Sequence, residues 1–76
     1  MNYINQISIN PQIMLGKPCI KGTRITVELI IERLSEGETI EELLEAYPHI
    51  TKENILAALQ YAAHILRDDE IMPIAS

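Results

Sequence analysis

The chain has 76 residues, a formal net charge of −5 and a 47% apolar share. This size makes one domain with a thin core, and the apolar share excludes a disordered polymer. The sequence pI near 4.8 argues against a strong general nucleic-acid binder, because that affinity rests on neutralising phosphates, yet it leaves room for a dimer with a local basic surface.

In chain order, residues 1–10 alternate at Ile7 and Ile9 around Ser8, which predicts a short strand. Asn10-Pro11 ends it, because proline removes a donor and holds its predecessor extended. Ile13-Met14-Leu15 then lead into Gly16-Lys17-Pro18-Cys19-Ile20-Lys21-Gly22-Thr23-Arg24-Ile25. That stretch holds two of the three glycines, three of the six basic residues and the only cysteine. Pro18 to Lys21 read as extended and Lys21-Gly22-Thr23 as a turn. A hairpin and a pairing with a strand of a second copy both fit, since two short strands alone are barely stable in water. Residues 1–25 are therefore read as an extended, β-type lead-in to a helical core at 26–67 and a tail at 68–76.

Thr26 is a good N-cap, and Val27, Ile30, Ile31 and Leu34 mark one face of a helix over 26–36. Glu28 suits the positive end of that helix, and Gly37 stops it. Thr39 and Glu42 form a capping box for a short helix over 40–46, with Ile40, Leu43, Leu44 and Tyr47 on one face and Pro48 barring continuation. Thr51 caps a third helix over 52–67. Ile55, Leu56, Leu59, Ala62, Ala63 and Leu66 give it a wide apolar face with Ala57 and Ala58 beside it, wide enough to serve a core and a partner. Asp68-Asp69-Glu70 oppose the dipole at its end. Ile71-Met72-Pro73-Ile74 are read either as a disordered end or as a strand or partner anchor, since Pro73 bars a helix.

One cysteine forms no internal disulfide, and Cys19, His49 and His64 stand at no metal-ligand spacing. No metal or other cofactor is expected. Oligomerisation remains as the stabilising device for so small a scaffold, so a homodimer or a tight partner is expected. The lone cysteine fits a reducing cytoplasm. No apolar run approaches the roughly 20 residues of a membrane span, and no signal peptide is seen.

The second helix, a loop at Tyr47-Pro48-His49-Ile50-Thr51 and the longer third helix form a helix-turn-helix candidate. At this point the chain resembles the small bacterial family catalogued as domain of unknown function 433. The resemblance rests on GKPCIKGTRI, on SEGETIEELLEAYPHIT and on KENILAALQYAA, and spans about residues 4–66. It implies a mainly α, three-helix, homeodomain-like helix-turn-helix core with a short N-terminal strand or hairpin. It further implies an antitoxin, binding a toxin of PIN-like nuclease fold and its own promoter DNA, with no catalysis of its own.

If the third helix reads DNA, its first residues should meet the duplex. Lys52 suits a phosphate and Asn54 an adenine edge, while Glu53 repels the backbone. Lys17, Lys21 and Arg24 are the better phosphate candidates. Arg24 is also read as a fold residue, bonding a carboxylate of the first helix or a carbonyl. Partner contact is assigned to Ile55, Leu59, Ala62, Leu66, Ile71, Met72 and Ile74. His49 and His64 read as exposed, Tyr61 as a core-edge ring and Cys19 as a small core residue. Enzyme chemistry is weak. The Gly-Lys and Gly-Thr pairs stand in the wrong order for a phosphate-binding loop, no triad is visible, no small-molecule substrate is expected, and Glu41, Glu42 and Glu45 read as a solvated face. A protein-interaction module that never touches DNA is the competing reading.

Overall fold

The computed structural model describes residues 3–68. In chain order they form a 3₁₀ turn at Tyr3–Gln6, strand β1 (Ile7–Ser8), a second turn at Met14–Gly16, strand β2 (Cys19–Ile20), and helices α1 (Val27–Ser35), α2 (Ile40–Ala46) and α3 (Lys52–Asp68). The helical elements lie within a residue of where periodicity and caps place them.

The caps explain that agreement. The Thr26 hydroxyl accepts from the Leu29 amide, so Thr26 stands outside α1 as its cap. Thr39 and Glu42 close a reciprocal capping box at α2. Thr51 and Asn54 do the same at α3, with Thr51 N–H donating to Asn54 Oδ1 at 2.9 Å and Asn54 N–H to Thr51 Oγ1 at 3.1 Å. At the end of α1, Gly37 lies at φ +99°. Its amide donates to the Leu34 carbonyl and the Glu38 amide to the Arg33 carbonyl, the paired bonds of a Schellman cap. The apolar contact that often spans such a cap is replaced here by an ion pair, Arg33 Nη1 to Glu38 Oε1 at 3.2 Å, and Glu38 holds the Arg33 pKa above its ordinary value by that hydrogen bond.

The N-terminal part differs from a plain extended lead-in. Strands β1 and β2 pair antiparallel within the chain, Ile7 opposite Ile20 and Ser8 opposite Cys19. The strand signal at Ile7 and Ile9 stops short, because Ile9 lies beyond β1 and is largely exposed. Residues 3–6 coil instead and pack across α3, where the Tyr3 ring meets Tyr61 edge-on at 5.9 Å. Between the strands, Met14, Leu15 and Gly16 all have positive φ, at +51°, +58° and +82°. This left-handed turn is closed by Gly16 N–H to Ile13 O at 3.0 Å and Lys17 N–H to Met14 O at 3.1 Å.

The core is one cluster. Ile20 of β2, Ile30 of α1, Leu43 of α2 and Ile55 of α3 are each at most 1% exposed, joined by Ile25, Val27, Ile50 and Ala58. Helix α1 packs on α3, and α2 touches both. Two expectations for α3 are corrected by this packing. Ile55, assigned to a partner, faces the core, and Ala57 and Ala58 are fully buried rather than flanking. The small alanines let α3 approach closely, which turns the buried stripe towards Ile55 and Ala58 and leaves Ala63 and Leu66 outside. Leu43→Ala removes a fully buried side chain and is expected to cost about 2–5 kcal/mol, read as a fall in the urea midpoint at constant slope.

Candidate functional site

Two places on this frame combine exposed chemistry with defined geometry. The first is the turn of the basic stretch. Ile20 N–H donates to Ile25 O at 2.9 Å, and Cys19 bridges Thr26, so the chain doubles back around residues 21–24. Thr23 seals the turn, its hydroxyl donating to Ile20 O at 2.8 Å and accepting from the Ile25 amide at 3.0 Å. Gly22 sits at φ +80°, as the third position of a type II turn requires. Lys21 and Arg24 project from this turn, both exposed. No hydrogen bond or ion pair ties the Arg24 side chain to another described residue, so its expected fold role is replaced by a free cation at the tip.

The turn is held against the start of α3 by Gln6. The Lys21 amide donates to Gln6 O at 2.9 Å, and the Gln6 side-chain oxygen accepts from Asn54 Nδ2 at 2.8 Å. Lys21, Arg24 and the exposed Lys52 thus share one end of the molecule. Asn54 belongs to that end but is occupied, capping α3 through one side-chain atom and binding Gln6 through the other. Glu53 stands beside Lys52, exposed. Gln6 carries no sequence signal of this role, because its partners are 15 and 48 residues away along the chain.

The second place is an open groove of about 540 Å³ between α1 and the far half of α3. Pro18, Ile31, Tyr61, Ala62, Ile65 and Leu66 line it, with Lys17, Glu28 and Glu32 at its charged side. Lys17 belongs here and not to the basic end. Its ammonium lies 2.9 Å from Glu28 Oε1, and this hydrogen bond raises its pKa, with Glu32 adding to the effect. Of the residues assigned to partner contact, Ala62 and Leu66 line the groove, Leu59 is half-buried outside it, and Ile71, Met72 and Ile74 lie outside the described residues. Leu15 is 95% exposed and carried no periodic signal.

Cys19 is 1% exposed, and its thiol donates to the Lys17 carbonyl at 3.3 Å. Burial pushes this thiol up from its ordinary 9.0, with the Arg24 charge pulling the other way. Among the described residues no group of three His, Cys, Asp or Glu side chains converges as a metal site, and no helix is long and apolar enough to cross a membrane. His49 is exposed, and His64 is exposed with its ring tilted against Tyr3 at 5.9 Å.

Three capped helices, with α2 and α3 joined through residues 47–51 and a two-stranded antiparallel pair at the N-terminus, define a small, mainly α domain of helix-turn-helix connectivity. The chain belongs to the family described as "Protein of unknown function (DUF433)", which it matches over residues 7–62. It is similar to the crystal structure of a DUF433 member protein from Anabaena variabilis ATCC 29413, with TM-score 0.79 and 32% identity, over 86% of this chain and 64% of that one. It is also 34% identical over 56 residues to the uncharacterized protein y4eO of Sinorhizobium fredii (strain NBRC 101917 / NGR234), a stretch that makes up 74% of this chain. The chain spans only 25% of that relative's length.

A Cβ at Gly22 would meet nothing within 4 Å, so Gly22→Ala tests the backbone alone. It is expected to cost about 1–2 kcal/mol, while Gly22→Asn recovers part of the loss, both measured by chemical unfolding. The Cys19 thiol gives a pH dependence of defined sign. A raised folded pKa means that the folded state holds the proton more tightly, so the contribution is complete below the ordinary value of 9.0 and is lost as pH rises through the raised folded value. The stability difference between wild type and Cys19→Ala is therefore flat below about pH 8 and shrinks above it, as followed by unfolding midpoints against pH.

Proposed function

We propose that this chain is an antitoxin-like helix-turn-helix protein, without catalysis of its own, that binds a toxin of PIN-like nuclease fold and, as a cytoplasmic homodimer, its own promoter DNA. The supporting observation is the gathering of Lys21, Arg24 and Lys52 at the N-terminal end of α3, through the Gln6 hydrogen bonds to Lys21 and Asn54. None of the three is ion-paired to another described residue, unlike Lys17 and Arg33. A recognition helix meets DNA at this end, and the helix dipole adds positive potential there. The cations serve phosphates. Asn54 reads no base while its side chain holds the cap and Gln6, and Glu53 limits close approach, so this end positions the duplex more than it reads sequence. Toxin contact falls to the other place, the groove with Ala62 and Leu66, with Leu59 and the 71–74 segment as further candidates.

A second reading is a protein-interaction module that binds no DNA. The balance of 11 acidic against 6 basic residues favours it, as do the exposed Glu41, Glu42 and Glu45 of α2.

Titration of a labelled fragment of the promoter region at several salt concentrations separates the two. On the first reading wild type binds at low salt, and each of Lys21→Glu, Arg24→Glu and Lys52→Glu weakens binding and flattens the log–log salt slope by about 1 per lost phosphate contact. Toxin binding by the same variants stays intact. Absence of DNA binding by wild type at low salt, with the neighbouring gene's product still bound, leaves the second reading. Binding of neither defeats both halves of the first.

A further inference from the structure

We propose that residues 3–6 form a strap that opens and closes on α3 as a unit of its own, and that its closed state holds the Lys21–Arg24 turn beside Lys52. Tyr3 and Gln6 are then positioning residues for the cationic end, acting from opposite ends of the strap. The consequence for DNA rests on the reading above, while the strap itself does not.

The strap meets α3 at two levels. At one end the Tyr3 ring lies edge-on to Tyr61 and tilted against His64, each at 5.9 Å between ring centres. At the other, Gln6 Oε1 accepts from Asn54 Nδ2 at 2.8 Å. Asn54 and Tyr61 stand about 10 Å apart along the helix axis. A short segment pinned at two such points has a fixed direction, and with either pin gone it swivels about the other. The Gln6 carbonyl passes that direction on, because it accepts from the Lys21 amide at 2.9 Å. The ring contact of Tyr3 thus bears on the place of a turn that it does not touch.

Burial and hydrogen bonding set where the opening starts and stops. None of the four strap residues is buried, and Ile4 is 67% exposed. A segment with so little buried apolar surface opens locally at a free energy well below that of global unfolding. The next residue is different. Ile7 packs against the core cluster and pairs with Ile20, so the opening ends there and the core stays closed. The turn also keeps its own shape. Its Ile20 N–H to Ile25 O bond and both bonds of the Thr23 hydroxyl lie within it. What the opening removes is the tie between the turn and the start of α3.

Hydrogen exchange of the full chain, followed by NMR under native conditions, tests this without DNA. The Lys21 amide reports on the strap, and the Ile20 amide, bonded within the turn, is the control. In wild type, Lys21 is expected to exchange faster than Ile20. Tyr3→Ala and Gln6→Ala are each expected to speed Lys21 exchange at least about threefold and to leave Ile20 within about twofold. Tyr3→Phe, which keeps the ring, is expected to behave as wild type. If either alanine variant leaves Lys21 unchanged, or speeds Lys21 and Ile20 alike, there is no separate strap and the proposal is overturned. The promoter titration adds the second arm. Tyr3→Ala removes no charge, yet is expected to weaken DNA binding and to flatten the log–log salt slope by up to about 2, with Tyr3→Phe binding as wild type. Unchanged DNA binding by Tyr3→Ala, with its Lys21 exchange accelerated, overturns the positioning role. A wild type that binds no DNA defeats the DNA half of the proposed function, and the exchange rates alone then decide the strap.

Discussion

Four aliphatic side chains from four elements close this fold. Ile20, Ile30, Leu43 and Ile55 are each buried to 1% exposure or less, and they belong to one cluster. None of β2, α1, α2 and α3 buries its apolar face alone. Isolated helices of this length are marginal in water, and a two-residue strand pair has no independent stability. Each element therefore exists because the other three cover its one central residue. In a chain of 76 residues such a core tolerates little loss, since stability is a small difference between large terms.

The basic stretch owes its position to that core. Cys19 and Ile20 are drawn inside, so the turn after them is forced outward, and Gly22 permits the reversal within four residues. The Gln6 bridge then fixes the turn against the start of α3. The basic residues of the stretch separate as a result. Lys21 and Arg24 stand on one side of the buried strand with Lys52, and Lys17 stands on the other with Glu28. Three cations close in sequence thus serve two different surfaces. The division between a cationic end and an apolar groove follows from where a two-residue strand enters the core.

Much of the helical frame was legible in the residues. Thr26, Thr39 with Glu42, and Thr51 are local signals, satisfied by amides three residues away, and Gly37 needs only its own φ. Such interactions form within one turn and are insensitive to what packs above them. The phase of the α3 apolar face was less legible. A helix with Ile55, Leu56, Ala57, Ala58, Leu59, Ala62 and Ala63 offers several stripes of similar hydrophobicity, and only the approach of α1 and the first turn chooses between them. The choice buries Ile55, Ala57 and Ala58 and leaves Ala63 and Leu66 out. The Met14–Gly16 turn was not legible, because a left-handed Met-Leu pair contradicts local preference and is imposed by its surroundings.

The sequence by itself determined the number of helices, their ends, the glycine turn after Ile20 and membership of the family, because these depend on short-range hydrogen bonds, backbone preference and motif. The tertiary structure alone decided which cations stand together, which are neutralised by a carboxylate, and which apolar residues are left in water. Those outcomes depend on contacts between residues far apart in the chain, Gln6 with Asn54 and Lys17 with Glu28, whose geometry exists only once the core has closed.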